Sequence, residues 1–401
     1  MHTGEVSSET ISFFAMRSTL DPLWPRLIAL RLTNGLGWDS MSHALAFLSP
    51  KINNFTLVLP LDNNILLQPI LSIASERCRS AQGLTLDITV DDPVSAHAVA
   101  GLIFACRDTL STLDIRSPFK AEYLPITAGL PRLRTLRLAK ARLPCDLPPF
   151  SFRNLEEVTI LHFHGPRLFH FFDRLCSTNL NIVKISAADT IAFKKLITAL
   201  SKFSASLKIL KISAVADLHL PYTAAPYPLF ANLRELFVGC LCWDGGIPGP
   251  CVFQPTDQAI AELGMVIPSI THLTLGSSSC PLHHCVTFLS LISLSKTCQD
   301  MESLAIRVDF QSMIASPPCG SDADVASEVT QGDVCKLRKL AVGPSILPDC
   351  PGVEWLVAIG LGKIFPSLSE VSGYLTPEQG KWEQVGENIR MSRQVLRNVR
   401  N

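Results

Sequence analysis

Leucine, isoleucine and valine recur along this chain in the spacing L-x-x-L-x-L, with other apolar residues admitted at each apolar place. The motif starts at Leu27, Ile52, Ala81, Leu110, Leu133, Leu155, Leu180, Leu207, Leu233, Ile270, Met301 and Leu337, with a degenerate copy at Leu368. In an extended chain, residues two apart share a face, so Leu136 and Leu138 of LRTLRL point one way and Thr135 and Arg137 the other. A lone strand cannot bury such leucines. Stacking successive strands in parallel gives them a continuous core.

The starts lie 22 to 37 residues apart, a period suited to one strand and one return segment per unit. LNIVKI and LKILKI alternate with period two and carry β-branched residues, which argues against a purely helical array. The pattern therefore predicts an α/β leucine-rich-repeat solenoid of about 12–13 irregular repeats over residues 27–375. Its curved parallel sheet carries helices and loops on the convex side.

Helical spacing is visible in several return segments. Leu66, Ile70 and Ile73 share a face, as do Phe193, Leu196, Ile197, Leu200 and Phe203. Similar patterns run over His97–Cys106, Pro166–Cys176, Thr256–Val266 and Cys285–Lys296. Between Leu110 and Leu155 the prolines at 118, 125, 131, 144, 148 and 149 predict loops or 3-10 turns in place of helices. A Pro-x-Leu or Pro-x-Ile entry precedes several strands, at Pro25, Pro131, Pro268 and Pro366; its proline-free variant is Phe152-Arg153-Asn154-Leu155 and Phe230-Ala231-Asn232-Leu233.

Residues 1–26 hold too little apolar surface for a folded domain, and read as a poorly ordered segment or partial cap. Residues 243–257 are rich in Gly and Pro, and 311–335 are mildly acidic; both read as loop insertions. Residues 376–401 place Trp382, Val385, Ile389, Leu396 and Val399 at helical spacing, which predicts a C-terminal capping helix.

Composition narrows the function. Of 401 residues, 47% are hydrophobic and 17% charged, with 35 basic against 35 acidic side chains. A chain so apolar and so weakly charged is not disordered. Its balanced charge removes whole-chain attraction to nucleic acid or to an anionic membrane. No apolar run is long enough to span a bilayer. The odd count of 13 cysteines, spread along the chain, reads as reduced thiols in the cytoplasm or nucleus. Cys78, Cys106, Cys176 and Cys298 each precede a motif by three or four residues, a place for a small buried side chain.

Candidate chemistry is sparse. Cys280-Pro281-Leu282-His283-His284-Cys285 holds metal-ligand types, with Cys240 and Cys242 as conceivable additions, but the spacing is not that of a zinc site. No G-x-S-x-G, phosphate-loop or H-E-x-x-H signature occurs. The expectation is a non-catalytic protein with no cofactor and no metal. Its binding surface is then the concave strand face, read from the residues between the leucines. Arg134, Arg137, Lys184, Lys208, Lys211 and Arg234 form a basic band there, and Phe237 ends it as an aromatic anchor for an acidic protein partner. Glu156, Glu157 and Glu235 interrupt the band, which disfavours nucleic acid.

The strings LPRLRTLRL, FRNLEEVTI, FANLRELFV and FPSLSEV resemble the divergent leucine-rich-repeat region of fungal F-box proteins, above all the large mushroom-type families. Phe365-Pro366-Ser367-Leu368 followed by Gly380-Lys381-Trp382-Glu383-Gln384-Val385 is similar to their ending. The resemblance covers roughly residues 20 to 400, and no Leu-Pro-x-Glu-like opening of an F-box precedes Leu27. It implies the substrate-binding part of a cullin-RING ubiquitin-ligase receptor, with the Skp adaptor as a partner. The other class that the sequence supports is a stand-alone leucine-rich-repeat scaffold or inhibitor unrelated to ubiquitination.

Overall fold

A computed structural model describes residues 28–32, 48–59, 67–88, 93–117, 123–140, 149–163, 168–187, 193–214, 230–240, 255–276, 285–311, 335–343, 345–373 and 379–400. Residues 1–26 and the greater part of both insertions lie outside them, as do Cys242, Cys280, His283 and His284. The chain divides into two units, Met1–Leu180 and Asn181–Asn401.

The first unit holds a parallel ladder of β1 (Ala29–Leu32), β2 (Asn54–Leu59), β3 (Gly83–Ile88), β4 (Thr112–Ile115), β5 (Thr135–Ala139) and β6 (Glu157–Phe163), each paired with the next in chain order. The second repeats the plan with β7 (Ile182–Ala187), β8 (Ile209–Ala214), β9 (Glu235–Cys240), β10 (His272–Leu275), β11 (Ser303–Ile306), β12 (Lys339–Ala341) and β13 (Glu370–Ser372). Each of these strands begins at the third residue of its motif, the degenerate copy at Leu368 included.

Three steps recur along the ladder. A tight turn enters the strand, in which the motif's first N–H donates to the carbonyl three residues back. Ala81 donates to Cys78 at 2.9 Å, Ile270 to Ile267 at 3.1 Å and Leu368 to Phe365 at 3.0 Å. Pro131, Pro268 and Pro366 occupy the second place of such turns, where their fixed φ is already correct. In the proline-free variant, Asn154 and Asn232 donate from their amides to the carbonyls of Pro131 and Ala205, tying one turn to the last. One carbonyl of the preceding unit then accepts two consecutive N–H groups: Arg134 O from Glu156 and Glu157, Lys208 O from Arg234 and Glu235, and Arg234 O from Thr271 and His272. These fork bonds fix the register before the strand starts. The strand's inward side chains, such as Leu136, Leu138, Val183 and Ile185, are buried.

Return segments supply the second layer: α1 (Leu67–Arg77), α2 (Pro93–Ala105), α3 (Tyr123–Ala128), α4 (Leu168–Arg174), α5 (Phe193–Leu200), α6 (Asp257–Val266), α7 (Phe288–Thr297), α8 (Val353–Ile364) and α9 (Gln379–Arg400). The six-residue α3 corrects the expectation of loops or 3-10 turns for the unit between Leu110 and Leu133, whereas residues 141–148 of the next unit lie outside the described residues. Its Pro125 sits in the first turn, where the missing N–H has no intrahelical partner to lose. A second correction concerns Cys176, which is exposed because the buried place beside it belongs to Leu175. Leu175–Cys176 pairs with Phe150–Ser151 in a short strand of its own.

α9 packs on β13 and α8. Its Trp382 is buried against Phe310, with ring centres 5.1 Å apart, and donates from Nε1 to Ser345 O at 3.1 Å. Gly373 makes room for the indole, because any Cβ there would strike Trp382 Cδ1.

Candidate protein-binding face

The strand positions between the buried residues lie on the other side of each ladder, and parallel pairing aligns them into rows. In the second unit the central row runs Lys184, Lys211, Phe237, Thr274, Ala305, Ala341, Ser372. The row two residues earlier runs Ile182, Ile209, Glu235, His272, Ser303, Lys339, Glu370. The first unit's central row is Arg31, Thr56, Thr85, Asp114, Arg137, Thr159.

Lys184, Lys208, Lys211, Arg234 and Phe237 are thus brought together on β7–β9 and their approach residues. Arg134 and Arg137 belong to the β5 region of the first unit. The cations meet carboxylates. Lys211 Nζ lies 2.7 Å from Glu235 Oε1, Arg134 Nη1 3.5 Å from Glu156 Oε1 and Arg137 Nη2 3.7 Å from Glu157 Oε1. Arg234 Nη1 donates to Ser269 O at 2.9 Å and lies 4.0 Å from Asp300 Oδ2. Lys336 sits 2.7 Å from the other oxygen of Asp300, and its ammonium holds that carboxyl below the usual range. At this exposure such pairs contribute little stability, so the carboxylates chiefly cut the field of the basic residues. The band is a charge-paired surface, more specific in pattern than in net charge.

Its apolar part is the less obvious one. Phe237 is half-buried, with its ring laid over Gly239, where a Cβ would come within 2.7 Å of Cε1 and Cζ. Ile182 and Ile209 stand side by side on the same face, also half-exposed. Beyond Phe237 the row turns small, at Thr274, Ala305 and Ala341. The two isoleucines escape a reading that looks for charge between the leucines. Their signal is present in LNIVKI and LKILKI, whose third letter is an outward position filled by an apolar residue.

Of the Cys280–Cys285 cluster only Cys285 lies within the described residues. Among the described residues no group of three His, Cys, Asp or Glu side chains is placed to hold a metal ion. Cys285 is half-buried, and burial pushes its thiol above the ordinary range, with nearby Arg307 opposing. Among the described residues no helix is long and apolar enough to cross a membrane.

No family model matches the chain, and no curated protein does. Among solved structures it is similar to a chain in the crystal structure of the Rad7 and Elc1 complex in yeast. That likeness has 13% identity and a TM-score of 0.38, over 79% of this chain and 85% of the other. Similarity at that level carries neither fold nor function, so the functional reading rests on the chain's own residues.

Proposed function

We propose that the protein is a leucine-rich-repeat recognition module that binds another protein on the outward face of its strands and performs no chemistry itself. The observation that carries this reading is the face of β7–β9. Ile182, Ile209 and Phe237 remain half-exposed there, ringed by Lys184, Lys208, Lys211, Arg234 and Glu235. Apolar anchors inside a polar, charged rim are the anatomy of a protein interface. These half-exposed side chains occupy outward strand positions, on the face opposite the buried core.

The finer proposal, that the module is the substrate-binding part of an F-box-type ubiquitin-ligase receptor, draws support from the strings LPRLRTLRL, FRNLEEVTI and FANLRELFV. An acidic protein segment is the partner this face suits, and the Skp adaptor is the partner the resemblance implies. Quantitative affinity purification of the tagged protein from its source cell tests both parts. The reading predicts a partner set that disappears for Ile209→Asp and persists for Met265→Asp, a control at an exposed residue of α6. Stoichiometric Skp adaptor in the wild-type sample supports the receptor assignment, whereas its absence leaves a stand-alone recognition module. Partners indifferent to Ile209→Asp contradict the assignment of this face.

A further inference from the structure

In the first unit, the turns that enter β2, β3, β4, β5 and β6 each carry one exposed cation, in order Lys51, Arg79, Arg107, Arg132 and Arg153. Parallel pairing of the strands stacks these turns side by side. Strands lie about 4.8 Å apart, so the five cations line about 19 Å of the edge at which the strands begin. One carboxylate shares the turns, that of Asp108, 3.7 Å from Arg107 Nε. Beside them Arg77, Arg134 and Arg174 are matched in number by Glu76, Glu156 and Asp173. Eight cations against four carboxylates leave an excess of four positive charges among the described residues of this edge. Lys51, Arg79, Arg132 and Arg153 make no ion pair among the described residues.

The fold does not require this row. Backbone bonds close the turns: Ile52 N–H donates to Ser49 O, Ala81 to Cys78 O, Thr109 to Cys106 O and Leu133 to Leu130 O. Helix C-termini favour cations, but Arg77 and Arg174 already fill that place in the last turns of α1 and α4. In the second unit the turns before β8, β9, β10 and β13 are uncharged, and Asp300 and Lys336, before β11 and β12, neutralise each other at 2.7 Å. Like charges stacked on neighbouring strands repel, and a bound anion relieves that repulsion.

Nothing in the row is built to read bases. The turns project no helix or ribbon into a groove, and their one aromatic residue, Phe152, is buried. The exposed ring of Phe104 nearby is covered by Arg107, whose guanidinium carbon lies 4.4 Å from the ring centre, so it is no platform for stacking. Four of the five turn cations are arginines, whose fork takes a carboxylate through two parallel bonds. A run of Asp and Glu repels itself and stays extended, and about six such residues span the row. We propose that the strand-entry edge of the first unit binds an extended, Asp- and Glu-rich segment of a partner protein. The site uses no residue of the β7–β9 face and does not rest on the role proposed for it.

The test is fluorescence anisotropy of a labelled peptide of about eight glutamates, titrated with the full-length protein at about 50 mM salt. The peptide should bind, be released at about 0.5 M salt, and bind about tenfold more weakly to the Arg132→Gln/Arg153→Gln double variant. Both residues are exposed, and glutamine keeps most of their length, so the turns stay intact. Two controls should bind as the wild type does: Lys296→Gln/Lys363→Gln, which removes the same charge from exposed positions of the second unit, and Ile209→Asp. No binding by the peptide, or equal binding by the Arg132→Gln/Arg153→Gln variant, overturns the proposal and leaves recognition at β7–β9 standing. Tighter binding of a DNA duplex or of phosphatidylserine vesicles at the same salt, lost in that double variant, assigns the edge to another anion and overturns it too. Loss of the peptide in Ile209→Asp alone would move the acidic segment to β7–β9, and equally overturns the assignment to this edge.

Discussion

Cys78, Cys106, Cys298 and Cys335 show how far a residue's chemistry follows from its place in the motif. All four are buried at the turn before a strand. Cys106 donates its thiol to Cys78 O at 3.1 Å, and Cys335 donates to Cys298 O at 3.4 Å, so each thiol binds its unit to the preceding one. Burial pushes the Cys78 thiol up to about 12, aided by Cys106, and those of Cys106 and Cys335 up to about 11. The fold thus holds the protonated form, and an unfolded thiol ionises near 9.0. Stability from these groups is complete below about pH 9 and is lost as pH rises towards 11–12. Urea midpoints should fall between about pH 8.5 and about pH 11 in the wild type, and fall less when Cys78 and Cys106 are replaced by Ala. At neutral pH the native protein should show rapid thiol labelling at Cys176 and none at the four buried cysteines until it unfolds. The spacing before each motif made three of these burials legible; Cys176 was misread because Leu175 takes the inward place. Backbone conformation was less legible. Lys140, just after β5, and His162, the last residue but one of β6, adopt positive φ (52° and 50°), the region glycine occupies at Gly276 and Gly343. Replacing Lys140 with Gly should stabilise the protein by about 0.5–1 kcal/mol, the relieved strain slightly exceeding glycine's entropy cost. An unchanged or lower urea midpoint would contradict that balance.

At the scale of elements, strands were readable to the residue and helices only where their apolar positions had a period. α8 was missed because VEWLVAIGLGKI is apolar nearly all round and carries two glycines, leaving no helical stripe to see. It forms because Gly352, in the left-handed region, starts it and because Val353, Val357, Ala358 and Leu361 are buried. Between α6 and α7 a single carboxylate does what sequence could not show. Asp257, in the first turn of α6, accepts from Thr287 N at 2.8 Å and from Thr287 Oγ1 at 2.7 Å, and also binds Ser290, joining the starts of two helices some thirty residues apart. Asp257→Ala strands those donors and should cost about 1–3 kcal/mol of unfolding free energy, with Asp257→Asn costing less. Trp382 plays a comparable part for α9. Trp382→Ala should cost about 3–5 kcal/mol, and Gly373→Ala should destabilise by driving a methyl into the indole. Hydrogen exchange localised to β12, β13 and α9 would check that the loss is confined to that end.

For the molecule as a whole, the repeating motif specified a parallel α/β fold, because one buried row per strand leaves little freedom in how strands stack. The binding face was only half legible. Its basic residues could be read from the motif's outward letters, but the carboxylates that meet them come from neighbouring strands, and only the register shows that Glu235 reaches Lys211. Ile182 and Ile209 were hidden among the leucines for the opposite reason, being apolar letters at outward positions. The central claim is that this face captures a protein. It is tested most directly by placing a photo-crosslinking amino acid at Thr274, beside Phe237, and in a second variant at Met265 on α6, then irradiating the source cells. The account predicts a discrete crosslinked partner at Thr274 that is lost when Ile209→Asp is added, and none at Met265. Crosslinks at Met265 with none at Thr274 would contradict it.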